Sequence, residues 1–138
     1  MNSIESCQDY AIELRQKGYN CAQCVLMTIS RQTGNDEDLA SRLSAAYGGG
    51  FSGTGEMCGA LSILGMAEGL ISKASTTQDK VTAMKCTKAL YQRFKDENDG
   101  RVLCRELKGK ENARQCPDLI KQAIRIFFEQ HPELLQKE

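Results

Sequence analysis

The sequence has no tryptophan, one histidine and two prolines, and it lacks a long uninterrupted apolar run. Both prolines lie beyond residue 116, so no proline breaks a helix earlier in the chain. The longest apolar stretch, residues 57–71, is interrupted by Ser62, Glu68 and three glycines, which makes it too short and too polar to span a bilayer. The formal net charge is zero, which argues against a dedicated nucleic-acid binder.

The N-terminal segment, residues 1–18, is amphipathic and carries acidic side chains, which is not the pattern of a signal peptide. We therefore expect a cytoplasmic protein with neither a membrane nor a nucleic acid as its partner. A chain of 138 residues fits one domain with a core of its own, covering residues 1–138. A homodimer is compatible with a bundle of short apolar helices, although no residue specifies it.

Cysteine and glycine are abundant, with seven and twelve residues respectively. A static disulfide framework is not expected in a reducing compartment, so this many cysteines favours metal binding or redox chemistry. Six of the glycines fall within residues 48–60, "GGGFSGTGEMCGA". That density indicates a loop in which the backbone comes close to a phosphate, a neighbouring helix or a metal centre.

Apolar residues recur with helical spacing nearly throughout, and no segment alternates as a strand would. The pattern predicts an all-α bundle of about five to six helices, with a glycine-rich loop before a buried central helix. Asn20 is the expected N-cap of the second helix, Thr54 that of the central helix over about residues 55–72, and Pro117 lies in the first turn of the last helix.

A long amphipathic helix is predicted to follow the central one and to end at Gly100. Its inward face is expected to carry Val81, Met84, Leu90, Tyr91 and Phe94. A short turn at residues 101–109 and a polar loop should connect it to the last helix, and residues 131–138 should form a polar tail.

The glycines do not fit a nucleotide site. Gly48, Gly50 and Gly53 have the G-x-G-x-x-G spacing, but the dinucleotide fingerprint requires a preceding strand within a βαβ unit. A phosphate loop needs a Gly-Lys-Ser/Thr ending, and "GTGEMC" contains no lysine. The phosphate interpretation is rejected.

Four cysteines lie in settings that stabilise a thiolate. Cys21, Cys58 and Cys116 fall at predicted helix N-termini, where free N–H groups and the helix dipole should lower a thiol pKa. Cys104 lies in the short turn beside Arg105 and near Arg101, whose charges should have the same effect. Thiolates attack disulfides and bind metals, so these four are the candidate site residues.

The other cysteines have simpler explanations. Cys7 and Cys86 sit in mid-helix among apolar residues and are expected to pack in the core. Cys24 shares a helix face with Cys21 in "CAQC" and can be a resolving thiol, an additional ligand or a packing residue. His131 is expected in the solvent-exposed tail, so there is no Cys–His catalytic pair to propose.

Four segments in this order resemble one family: residues 20–26 "NCAQCVL", 47–62 "YGGGFSGTGEMCGALS", 103–109 "LCRELKG" and 116–123 "CPDLIKQA". Over about residues 18–130 the chain resembles the redox-active proteins named for their C_GCAxxG_C_C cysteine pattern. The pattern's cysteines would fall on Cys21, Cys58, Cys104 and Cys116. The glycine expected five residues after the central cysteine is Ile63 here.

The resemblance implies a small helical redox protein, and a similar segment occurs in split-Soret cytochromes. It suggests that the four thiolates bind an iron–sulfur cluster or form reversible disulfides, in an oxidoreductase or an electron-transfer protein with an unidentified redox partner. No C-x-x-C-H sequence exists in this chain, so haem is not implied. Under this interpretation the backbone N–H groups of the loop donate to sulfur. The candidates are Gly49, Gly50, Gly55 and Gly59; alternatively, the glycines merely permit a sharp turn.

Two other functions remain open from the sequence. Four cysteinates also suit tetrahedral zinc, which would make the chain a structural zinc-binding helical module. Alternatively, the cysteines only pack, and the bundle holds no cofactor.

Overall fold

The computed structural model describes residues 1–109 and 112–135, and within them the fold is built from α-helices without a β-strand. An isolated antiparallel bridge joins Met57 and Leu103. The predicted all-α class is confirmed, with seven α-helices rather than five to six. They are α1 Ile4–Gln16, α2 Cys21–Gln32, α3 Glu37–Ser44, α4 Gly59–Ser72, α5 Thr77–Glu97, α6 Cys104–Leu107 and α7 Cys116–Gln130, followed by a 3-10 turn at Pro132–Leu135.

Side-chain caps fix where several helices begin. The Asn20 side chain accepts the backbone N–H of Gln23, and the Gln23 side chain accepts that of Asn20, so α2 opens with a reciprocal capping box. This confirms Asn20 as the predicted N-cap. The side chains of Asp36 and Thr76 cap α3 and α5 by accepting a backbone N–H of the first turn, without a reciprocal bond.

The core surrounds α2. Ten of its twelve residues are buried, and it packs against α1, α3, α4 and α7. The predicted central helix, α4, is buried on one face, including Ile63, where the resemblance led us to expect a glycine. Its other face, which carries Ser62, Gly65, Met66 and Gly69, is only half-buried. The most deeply buried helix is therefore α2 rather than α4.

The predicted start of α4 was wrong. The helix begins at Gly59, with Cys58 at the N-cap, and Thr54 does not cap it. The Thr54 hydroxyl instead donates back to the Gly50 and Phe51 carbonyls at 2.8 Å. Residues 55–57 are consequently left outside the helix, where Met57 can pair with Leu103.

The glycine-rich segment contains a tight turn, Gly48–Phe51, which we call the glycine turn. Its Gly49, Gly50 and Phe51 have φ values of 66°, 67° and 70°, so the segment is left-handed and is not a regular α-helix. Such values cost little only for glycine, which explains two of the three residue choices.

Two of the five inward positions predicted on α5 are exposed. Leu90 and Phe94 are buried and Tyr91 is half-buried, but Val81 is 41% and Met84 64% exposed. The first half of α5 therefore leaves part of its apolar stripe exposed. Among the described residues, no helix combines the length and apolarity needed to cross a membrane.

Parts of two further predictions lie outside the described residues. The polar loop includes residues 110–111, and the polar tail includes residues 136–138. Within the described part of the tail, Leu134 and Leu135 pack against the core, and the Leu134 carbonyl accepts the Gln32 side-chain amide at 3.0 Å.

Candidate functional site

The four candidate cysteines line one small cavity. Its volume is about 160 Å³, and the helix starts around it bring together side chains far apart in sequence. Cys21 opens α2, Cys58 caps α4, Cys104 opens α6 and Cys116 opens α7. The remaining lining residues are Arg15, Asn20, Gly49, Gly59, Lys108 and Leu119.

A short stretch of paired backbone holds Cys58 and Cys104 beside each other. The Cys58 N–H donates to the Val102 carbonyl at 2.8 Å, and the Cys104 N–H donates to the Glu56 carbonyl at 2.6 Å. Together with the Met57–Leu103 bridge, these bonds fix the position of both thiol-bearing residues. Sequence periodicity could not reveal this pairing, because it joins segments about fifty residues apart.

Two glycines are required by close packing around the sulfurs. A Cβ on Gly59 would lie 2.8 Å from Cys21 Sγ and 2.5 Å from the Tyr47 carbonyl oxygen. A Cβ on Gly50 would lie 2.5 Å from Cys104 Cβ. Any larger residue would force the neighbouring cysteine or backbone to shift. The glycines thus bring the backbone close to the cysteine-bearing helix starts.

The other two candidate glycines differ from each other. Gly49 lines the cavity, but Gly55 does not. The Gly55 N–H donates to the Gly49 carbonyl at 3.1 Å, so it is not available to a sulfur. A Cβ on Gly55 would meet Arg105 Cβ at 3.3 Å. Gly55 therefore shapes the loop rather than the cavity wall.

Burial has the largest influence on the pKa values of the Cys58 and Cys104 thiols. The pKa of Cys58 is raised to about 12 because the thiol is desolvated, although the N–H groups of Leu61 and Ala60 partly counteract this. The pKa of Cys104 is also raised, first by burial and then by the neighbouring Cys116 and Cys21, and Lys108 opposes the shift. The expectation of lowered pKa values was wrong for Cys58 and Cys104, because it considered local charge without tertiary burial.

The positive charges at the cavity come from residues that the sequence did not single out. Lys108 Nζ donates to Cys116 Sγ at 3.2 Å, and Cys116, Cys104 and Cys21 all act to raise the pKa of Lys108. Arg15 of α1 supplies a second cation to the lining. A basic residue one helical turn after Cys104 was the sequence signal that could have identified Lys108.

The arginines predicted to act on Cys104 point elsewhere. Arg105 forms a 2.7 Å ion pair with Glu56, and both side chains are more than half exposed. Arg101 donates to the carbonyls of Asn98 and Asn112. Proximity in sequence to Cys104 was therefore a poor guide to which cation faces the thiols.

Two further cysteines are fully buried in the core. Cys7 packs there as predicted, and its thiol donates to Gln32 Oε1 at 3.9 Å. The Cys24 thiol donates to the Tyr19 carbonyl at 3.6 Å, and burial raises its pKa to about 12. Cys24 does not line the cavity, although Cys21 and Cys116 are near enough to influence its pKa.

All seven cysteines are thiols. Among residues 1–109 and 112–135, no three His, Cys, Asp or Glu side chains are already arranged as the ligands of a metal ion. The cavity thus brings four thiols to one place without setting their sulfurs in a coordination geometry.

A second buried polar cluster was missed. His131, predicted to be solvent-exposed, has a side chain that is only 14% exposed and lies 2.7 Å through Nε2 from Glu68 Oε2. Gln130 donates to the same carboxylate oxygen at 3.1 Å. Cys86 lies beside this cluster and is half-buried rather than part of the core, and its pKa is raised by burial and by Glu68.

Comparison with known proteins identifies the family. The family described as "Putative redox-active protein (C_GCAxxG_C_C)" matches residues 19–130. This match covers most of the chain, so the protein belongs to the C_GCAxxG_C_C family. No curated protein and no solved structure gives a significant match.

Proposed function

We propose that this member of the C_GCAxxG_C_C family is an electron-transfer protein whose four cavity cysteines bind one iron–sulfur cluster. The supporting observation is that Cys21, Cys58, Cys104 and Cys116, each at a different helix start, line the same cavity of about 160 Å³. Four cysteinates are the ligand set of two-iron and four-iron clusters.

The chemistry of the cavity lining supports the binding of an iron–sulfur cluster. Burial raises the pKa of Cys58 to about 12, so this thiol is a poor nucleophile in the absence of a metal. Iron ions supply the positive charge that ionises a coordinating thiol. Lys108 and Arg15 can then offset the net negative charge of a tetracysteinate cluster. Rotation of the cysteine side chains is needed to bring the four sulfurs into a ligand set.

A second candidate function is reversible thiol–disulfide exchange among the same cysteines. It is favoured by the 3.2 Å contact in which the Lys108 ammonium donates to Cys116 Sγ, because this contact brings a cation to a half-buried cysteine of the cavity. Oxidation of two thiols to one disulfide releases two protons and two electrons, which a disulfide or another two-electron acceptor would take up. The pairing among the four cysteines stays open.

Metal and sulfide analysis of protein isolated without oxygen tests the proposal. We expect iron and acid-labile sulfide in similar amounts in the wild type and loss of both in Cys58→Ser. The matched control is Cys86→Ser, which changes a half-buried cysteine outside the cavity and should retain both elements.

Three other outcomes would overturn the cluster proposal. Stoichiometric zinc without sulfide would identify a structural zinc module. A metal-free protein with two reversible disulfides would establish the second candidate. A metal-free protein without redox response, in which all cysteine variants behave alike, would leave the cysteines as packing residues.

A further inference from the structure

A large apolar groove lies between α4 and the first half of α5. Its volume is about 790 Å³, within the range typical of small-molecule sites. Its apolar lining consists mainly of Met57, Leu61, Ala83, Met84 and Tyr91. The groove is separate from the cysteine cavity and shares no lining residue with it.

The groove is open because two neighbouring surfaces leave it uncovered. On α5, Met84 is 64% exposed, although it lines the same groove as Leu61 of α4. On α4, Gly65 has no side chain to fill the space, and a Cβ built there would meet only Thr87 Cγ2, at an ordinary 3.5 Å. The apolar stripe of α5, which the sequence predicts to lie in the core, is therefore accessible to a bound molecule.

The charge of the groove is of one sign. Lys80 and Lys88 line the groove together with its apolar side chains, and no Asp or Glu belongs to the lining. Within the part of the chain that the structure describes, neither lysine forms an ion pair. The hydroxyl groups of Ser62 and Thr87 donate to the Gly59 and Ala83 carbonyls, and that of Thr76 accepts the Asp79 N–H, so the two lysines are the groove's groups for an anion.

We propose that this groove is a binding site for an amphipathic organic anion, with an apolar ring or acyl body and a carboxylate, sulfonate or phosphate end. The body would lie on Met57, Leu61 and Met84, and the anionic end would reach Lys80 and Lys88. Met57 immediately precedes Cys58, so the bound molecule would lie one residue from the cysteine cavity. The proposal stands apart from the iron–sulfur proposal, because it concerns a different set of side chains.

Isothermal titration calorimetry with anilinonaphthalene sulfonate, an apolar aromatic anion, tests the site on the whole chain. We expect one binding site in the wild type. Gly65→Leu should fill the groove and weaken binding by more than about tenfold. Its matched control is Gly69→Leu, one turn later on α4, where a Cβ meets nothing within 4 Å and the residue is outside the groove lining. The control should retain wild-type affinity.

A second pair of variants tests the charge. Lys88→Glu should weaken binding by about three- to tenfold at low ionic strength, and added salt should reduce the difference. Lys85→Glu makes the same change at an exposed position of α5 outside the lining, and should have the smaller effect.

Specific results would overturn the proposal. Unchanged affinity in Gly65→Leu would mean that the probe binds outside the groove. Equal losses of affinity in Lys88→Glu and Lys85→Glu would mean that the net charge of the protein, and not the position of Lys88, determines the effect. A third such result is a wild-type dimer that does not bind the probe and that Gly65→Leu converts to a monomer. That result would show that a second copy of the chain covers the groove. Circular dichroism of each variant confirms that the helices are retained.

Discussion

The buried titratable groups at the two ends of α4 differ in their hydrogen-bond partners. Near its C-terminal end, the Glu68 carboxylate is 1% exposed and receives hydrogen bonds from Gln130 and His131. At its N-terminal end, Cys58 is 3% exposed, but the thiols around it have mainly each other and the ammonium of Lys108 as neighbours. The Glu68 carboxylate has its hydrogen-bond partners within the protein, whereas the cysteine thiols surround a cavity. The difference suits a structural role for the Glu68 cluster, and it agrees with the proposal that the cavity holds a cofactor.

The largest expected effect on stability comes from Glu68→Ala. Removing one partner of a buried pair leaves His131 Nε2 without its acceptor and leaves Gln130 with the Cys86 carbonyl as its acceptor, which should lower the free energy of unfolding by about 3–5 kcal/mol. Chemical denaturation measures this difference. Glu133→Ala is the control, because Glu133 is the other carboxylate near His131 but is 66% exposed. A loss in Glu68→Ala no larger than in the control would contradict the structural assignment.

Gly59→Ala should have the next largest effect. The added Cβ would lie 2.5 Å from a backbone oxygen and 2.8 Å from Cys21 Sγ, and such overpacking typically costs about 1–3 kcal/mol. Gly69→Ala on the same helix meets nothing and should stabilise by up to about 1 kcal/mol through helix propensity. Thermal unfolding of the two variants should therefore shift in opposite directions. A shift in the same direction would mean that Gly59 is not packed against the sulfur.

The Glu68 end should also carry a pH dependence. The pKa of His131 is raised, chiefly because its ring donates to the Glu68 carboxylate, so the folded state holds this proton more tightly than the unfolded state. The resulting stabilisation is fully present below the ordinary histidine pKa of about 6.5 and is lost as pH rises through the higher folded value.

Unfolding free energies of wild type and His131→Gln, compared from about pH 5.5 to pH 9, measure this dependence. The advantage of the wild type should be largest at the acidic end and should shrink toward the basic end. A constant or increasing difference would remove His131 from the account.

The smallest effect is expected for Glu56→Gln. Glu56 and Arg105 form an ion pair near the cavity, but their side chains are 58% and 57% exposed, so solvent screens the pair. We expect a change in unfolding free energy close to the error of the measurement and unaltered iron and sulfide content. A larger loss of cofactor would show that this surface pair helps to position Cys104.

The sequence predicted the local features well. Helical periodicity identified the fold class, and Asn20 identified the start of α2, because both depend on residues within one or two turns. Placement at predicted helix starts singled out Cys21, Cys58 and Cys116, which line the cavity. Cys104 lines it as well, although the arginines for which it was chosen interact with other groups. The family resemblance, now confirmed, agreed with that choice.

Features that depend on tertiary contacts were not predictable in the same way. The sign of the Cys58 pKa shift depends on desolvation by distant segments, and the His131–Glu68 pair joins residues 63 positions apart. Periodicity showed that Val81 and Met84 form an apolar stripe on α5, but it could not show whether another helix covers that stripe. Thr54 has the side chain of an N-cap, but its hydroxyl donates to the Gly50 carbonyl in the glycine turn instead.

Crystals grown without oxygen, measured at the iron absorption edge, test the central claim most directly. The account predicts an anomalous peak inside the cavity, with the sulfurs of Cys21, Cys58, Cys104 and Cys116 around it. Iron bound at any other place, or a cavity without an anomalous peak in protein that contains iron and sulfide, would contradict it.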